Sequence, residues 1–237
     1  LESESCESES IKVSQAINYK NLTGPVAVSD MVILNTTAVE LGLGTGGYHF
    51  VAGNPNHFLE KDSDENKSKY EKKKLQPNDL SINPSLNYND KKKGHIMKLK
   101  YTPFQVRTLS VEETDSPYRE QIENFSDLNQ QPVILLPLHS LLAPLAFTFN
   151  KIFPQQKLTY IMTEGGALPL ELSHLVADLK SREIIDTTIT IGQSFGGDLE
   201  AVNIWTGLAA AKEVAGSDLI VVGMGPGITG TSTKLGF

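Results

Sequence analysis

Four short apolar segments in the second half of the chain each run directly into a loop rich in glycine, hydroxyl or acidic residues. Val133-Ile134-Leu135-Leu136 precedes Leu138-His139-Ser140, and Leu158-Thr159-Tyr160-Ile161 precedes Met162 to Ala167. Thr188-Ile189-Thr190-Ile191 precedes Gly192 to Asp198, and Leu219-Ile220-Val221-Val222 precedes Gly223 to Gly227. Helix-period stretches lie between them. This alternation predicts parallel strands joined by crossover helices, a Rossmann-like α/β sheet over residues 132–237. Parallel strands put all four loops on one edge of the sheet, where open α/β folds bind ligands. Ser140 is expected to cap the first helix, with Pro144 in its tolerant first turn. Leu168, Leu172, Leu175, Val176 and Leu179 share one face of a second. Asp198 is expected to cap a third, with Val202, Trp205, Leu208 and Ala209 facing inward. No helical stretch follows the fourth strand, so the sheet looks truncated at its C-terminus.

The first half alternates with a shorter period. Ile11 to Ser14, Met31 to Leu34, Tyr48 to Val51, His95 to Tyr101 and Phe104 to Val111 all read as strands between turn signals. Residues 11–112 are therefore expected to form a small antiparallel β domain or a partly open barrel. Residues 60–93 break the pattern, with lysine runs at 72–74 and 91–93 and many Asn, Asp and Pro. They read as a solvated, mobile insertion that the fold does not need. Residues 113–131 read as a polar linker.

Composition narrows the class. The chain has 237 residues, 39% hydrophobic and 21% charged, and no apolar run reaches the length of a membrane span. The start, Leu1 to Ser10, has no signal-peptide pattern. Cys6 is the only cysteine, which excludes an internal disulfide and fits a reducing cytoplasm. Net charge is −7, and outside residues 1–10 and 61–93 it is −6. So acidic a body argues against a broad nucleic-acid surface. A membrane partner is not expected, and a homo-oligomer stays open.

Two stretches fit G-x-G-x-x-G. Gly225-Pro226-Gly227-Ile228-Thr229-Gly230 follows a strand directly, the context in which backbone N–H groups approach a phosphate. Thr231 stands where a P-loop carries its lysine, and Lys234 comes too late. Gly225, Gly227, Gly230 and Thr231 are thus the candidate anion-binding residues, against the alternative of a tight turn. Gly42 to Gly47 precedes a strand and reads as a turn or bulge.

Glu164 and Asp198 would share the loop edge, where two acids permit metal binding or general acid/base work. The alternative is a solvated Glu164 and a capping Asp198. His139 at a strand's carboxyl end is a candidate base or ligand. Gly192-Gln193-Ser194-Phe195-Gly196 has the G-x-S-x-G letters but lacks the immediate helix of a nucleophile elbow. No histidine pair has metal-binding spacing, and the residues name no metal or cofactor.

Leu34-Asn35-Thr36-Thr37-Ala38-Val39-Glu40-Leu41-Gly42 through Val51 and Gly94-His95-Ile96-Met97-Lys98-Leu99-Lys100-Tyr101-Thr102-Pro103 carry a resemblance. With the loops Met162 to Pro169, Gly192 to Asn203 and Gly223 to Phe237, they resemble a bacterial family known only as domain of unknown function 3866. The resemblance covers nearly all of the chain outside residues 1–10 and 60–93. It implies a soluble bacterial protein whose relatives continue past Phe237, and brings no activity or site residue with it. The sequence expectation is an enzyme or binding protein for a small anionic ligand, phosphorylated ones included, at the carboxyl edge of the sheet. The alternative is a regulatory or assembly module whose glycines serve only tight turns.

Overall fold

The computed structural model describes residues 13–42, 47–55, 94–228 and 230–234. The insertion at 60–93 and most of the Gly42 to Gly47 stretch lie outside the described residues. Two compact units emerge. The described residues of the first lie in 13–55 and 101–105, and those of the second in 94–100 and 106–234.

The first unit contains β1 (Gln15–Ile17), α1 (Lys20–Thr23), β2 (Ile33–Asn35), α2 (Thr37–Glu40) and β3 (Tyr48–Gly53). β3 is the central strand, with the order β1-β3-β2. β2 runs antiparallel to it, but β1 runs parallel, Gln15 opposite Tyr48. The sheet is thus mixed rather than antiparallel: the chain crosses over through α1 and α2 before β3 instead of returning by a hairpin. Phe50 and Val51 on β3 are buried, and Phe50 stacks on Tyr19 at 6.2 Å. The Asn35 amide donates to the carbonyls of Pro103 and Gln105, both at 3.1 Å, which ties the returning segment 101–105 to β2.

The second unit opens with the antiparallel pair β4 (Ile96–Lys98) and β5 (Val106–Thr108). Then come α3 (Arg119–Glu123), β6 (Val133–Leu136), α4 (Leu142–Ile152), β7 (Leu158–Thr163), α5 (His174–Ser181), β8 (Thr187–Thr190), β9 (Leu199–Glu200), α6 (Ile204–Ala209) and β10 (Leu219–Met224). The last five strands form one parallel sheet in the order β6-β10-β7-β8-β9. The expected parallel α/β sheet is present, with one strand more than the four apolar segments indicated.

Alternation along the central strands feeds two cores. Leu158, Tyr160 and Met162 of β7 join Leu219 and Val221 of β10 against Leu142 and Ala146 of α4 and Val176 and Leu179 of α5. Ile161, Ile189, Ile220 and Val222 point to the other face, against Val111, Ala210 and Ala211. The sheet is covered on both faces, which is why its inner strands read as unbroken apolar runs. Ile122 of α3 packs on the second core, so the segment expected as a polar linker contributes to it.

Helix starts differ from the sequence reading. Ser140 caps nothing: a short 3-10 turn, His139–Leu141, leads into α4 without a side-chain cap. Ser173 caps α5, accepting from Val176 N–H at 3.1 Å. Asn203 rather than Asp198 caps α6, in a reciprocal capping box with Thr206. Trp205 on that first turn is 74% exposed rather than inward-facing.

Candidate functional site

Strand order determines which loops meet. β10 is inserted between β6 and β7, with Gly223 level with both Leu136 and Met162. The chain leaving these three strands at their carboxyl ends therefore lies side by side. It carries His139, the segment Glu164 to Ala167, and the glycine loop from Gly225 onward.

The two glycine loops touch through their backbones. Ala167 N–H donates to the Pro226 carbonyl at 2.7 Å. A Cβ on Gly166 would stand 2.7 Å from that same carbonyl oxygen, and one on Gly225 would stand 2.7 Å from the Ala167 oxygen. Close backbone approach explains both glycines. Gly227 differs. Its φ of 95° lies in the left-handed region, it is exposed, and a Cβ there would meet only Ala167 N, at 3.9 Å. Gly230 and Thr231 are exposed as well, and Thr231 Oγ1 lies 3.0 Å from Thr233 Oγ1. Among the described residues, none accepts a hydrogen bond from the backbone N–H of Gly227, Ile228 or Gly230.

His139 is tied into this edge by two short bonds. Its Nδ1 lies 3.2 Å from the Tyr160 hydroxyl, and its Nε2 lies 2.7 Å from Ser173 Oγ. Tyr160 in turn donates to the Met224 carbonyl, at 3.0 Å, immediately before the glycine loop. The proton positions follow from that donor. Tyr160 has one proton and gives it to Met224, so its oxygen accepts from His139 Nδ1–H. His139 Nε2 is then unprotonated and accepts from Ser173 O–H. Burial pushes the imidazole below its ordinary value against the opposing effect of the Met224 carbonyl, and burial pushes the Tyr160 phenol up. A neutral imidazole suits this chain of donors.

The two candidate acids are separated. Glu164 follows β7 and is exposed at the loop edge, where its Oε2 accepts from Gln193 N–H at 2.6 Å. Asp198 sits at the other end of the sheet. The chain from Gly192 to Gly197 runs back along β8, so Asp198 enters β9 beside Thr188 near the start of β8. There Asp198 Oδ2 accepts from Thr188 N–H at 2.8 Å, Thr188 Oγ1 at 2.9 Å and Lys180 Nζ at 2.7 Å. Burial opposes its ionisation, but Lys180 and Thr188 hold its carboxyl below the usual range. Asp198 and Glu164 therefore do not face one another across a shared site. Ser194 is buried and donates to the Thr163 carbonyl at 3.0 Å, a packing role rather than an elbow.

A buried charge cluster went unsingled in the sequence. Lys98 on β4 is fully buried, with Nζ 3.4 Å from Glu200 Oε2 and donating to the Ala201 carbonyl at 3.2 Å. Glu200 Oε1 accepts from Gly196 N–H at 2.7 Å, while Oε2 keeps the ion pair but accepts no aligned hydrogen bond. Ser110 is bridged to Glu200, and Glu112 Oε1 accepts from Val202 N–H at 2.9 Å. Burial pushes the Lys98 ammonium down, opposed by Glu200, and pushes the Glu200 carboxyl up, opposed by Lys98. The one sequence signal was Glu200 within the acidic run after Gly196-Gly197. Lys98 alternates with apolar neighbours and reads as a solvent-facing strand position.

Among the described residues, no helix is long and apolar enough to cross a membrane, and no group of three or more His, Cys, Asp or Glu is placed to hold a metal ion. No curated protein and no solved structure matches the chain. The model of one family, described as a protein of unknown function (DUF3866), matches residues 15–237, and the chain belongs to that family.

Proposed function

We propose that the carboxyl edge of the parallel sheet binds a small anionic ligand, phosphate-bearing molecules included, on the loop that follows β10. One observation carries this reading. Gly227, Ile228 and Gly230 sit on a chain segment that leaves a central strand, and their N–H groups have no acceptor among the described residues. Successive backbone N–H groups of this kind form an anion-binding concavity. Thr231 adds a hydroxyl, and two hydrogen bonds link His139 through Tyr160 to the Met224 carbonyl just before the loop. Glu164 lies at the same edge on Gln193, and Asp198 has a structural task at the other end.

A second reading has its own support. Gly166 and Gly225 are required by backbone packing alone, which favours a module whose glycines serve tight turns. Thermal melts separate the two. Inorganic phosphate, phosphate esters and nucleotides are compared with chloride at matched ionic strength. A ligand that binds only the folded chain raises the melting temperature with concentration. Thr231→Val should weaken that rise while leaving the ligand-free melt unchanged. No rise with any of these anions would leave the tight-turn reading standing.

A further inference from the structure

We propose that Ser173 is a nucleophile activated by His139, and that the pair supports acyl transfer from a small ester. This goes beyond anion binding and does not depend on it. The observations are geometric. Ser173 Oγ and His139 Nε2 are 2.7 Å apart, and the other imidazole nitrogen is held 3.2 Å from Tyr160. A hydroxyl beside a base that a third group orients is the arrangement that activates serine. The tautomer is the working one. Because Tyr160 spends its proton on the Met224 carbonyl, Nε2 presents its lone pair to the Ser173 hydroxyl. Ser173 also begins the eight-residue helix α5, whose Val176 N–H donates to Oγ at 3.1 Å. That donor and the helix N-terminus stabilise negative charge developing on Oγ. None of these bonds requires Tyr160 itself to ionise.

The step balances with water as the second reactant. Oγ attacks the acyl carbon as its proton passes to Nε2, forming the Oγ–C bond. The bond from carbon to the leaving oxygen then breaks, and that oxygen takes the proton from Nε2. Water attacks the acyl-serine, Nε2 accepts the water's proton, and the proton returns to Oγ as the acid departs. Ser173 is 3% exposed, whereas His139 is half-buried. Access from the His139 side restricts the acyl group to a slender one.

The test uses the intact chain and needs no variant to begin. The protein is treated with a small alkyl fluorophosphonate and analysed by intact mass and peptide mapping. One adduct per chain on Ser173 is expected. Its rate should rise with pH to a plateau, with an inflection below the ordinary histidine value of about 6.5. Ser173→Ala should remove the adduct. Tyr160→Phe should slow labelling at least tenfold and alter its pH profile, because Nδ1–H loses its acceptor. A p-nitrophenyl acetate burst should follow the same variants. Absence of a Ser173 adduct on the folded wild type, under conditions that fully label a known serine esterase, would overturn the proposal. So would labelling whose rate inflects at or above that histidine value. Neither result bears on the anion-dependent melts.

Discussion

Removing the Lys98 ammonium should destabilise the chain in a way that depends on pH. The side chains of Lys98 and Glu200 are 0% and 6% exposed, so Lys98→Met leaves a carboxylate in the interior with no countercharge. Breaking such a pair on one side costs about 3–5 kcal/mol. The escape route sets a second limit. Glu200 can take up a proton, and against an ordinary carboxyl value of about 4.3 each further pH unit costs about 1.4 kcal/mol. With the wild-type pair taken as ammonium and carboxylate, the penalty is about 3.7 kcal/mol at pH 7 and about 1 kcal/mol at pH 5. Lys98→Met/Glu200→Gln removes both charges and should recover most of the loss at pH 7. Urea unfolding followed by circular dichroism at the two pH values measures all of this. Equal penalties at pH 5 and pH 7, or a double variant as unstable as Lys98→Met, would refute the assignment of the cost to a stranded carboxylate.

Three further outcomes are expected. Gly166→Ala drives a methyl into the carbonyls of Gly225 and Pro226 and should cost about 1–3 kcal/mol in thermal melts, as overpacking does. The Asp198 carboxyl titrates below the usual range in the fold, so the stability it provides is held above the unfolded value of about 3.9 and lost as pH falls through the folded one. Acid melts from pH 2 to 6 should show that limb in the wild type and a flatter one in Asp198→Asn. His139 is likewise depressed, so its contribution is complete above about pH 6.5 and lost as pH falls through the folded value. Its ring resonances should titrate below that value, and an inflection at or above it would contradict the neutral imidazole bonded to Tyr160 and Ser173.

Local conformation makes Gly227 a poor position at which to test anion binding. Gly227→Val suits a test of anion binding only where φ is negative. At 95° a branched side chain strains the backbone whatever the loop binds. Thr231 is the better probe because its hydroxyl is removed without altering the backbone.

The sequence alone determined the strands whose side chains are buried on both faces of the sheet. Leu158 to Ile161, Thr188 to Ile191 and Leu219 to Val222 are legible because burial on both faces demands unbroken apolar or β-branched runs, and Val133 to Leu136 reads the same way although Ile134 and Leu135 are exposed on the edge strand. It also determined the parallel direction, since helix-length stretches separate those runs. Strand order, and hence which loops meet, came only from the tertiary structure. β9 is two residues long, too short for a periodicity, and its entry along β8 takes Asp198 away from Glu164. His139 and Ser173 are 34 positions apart, and Lys98 and Ala201 are 103 apart. Contacts at such separations depend on which strands pair and in what register. Each residue involved has an ordinary local context: a strand-end histidine, a helix-capping serine, a lysine in an alternating strand. Their chemistry arises from burial against one another, and burial belongs to the assembled fold.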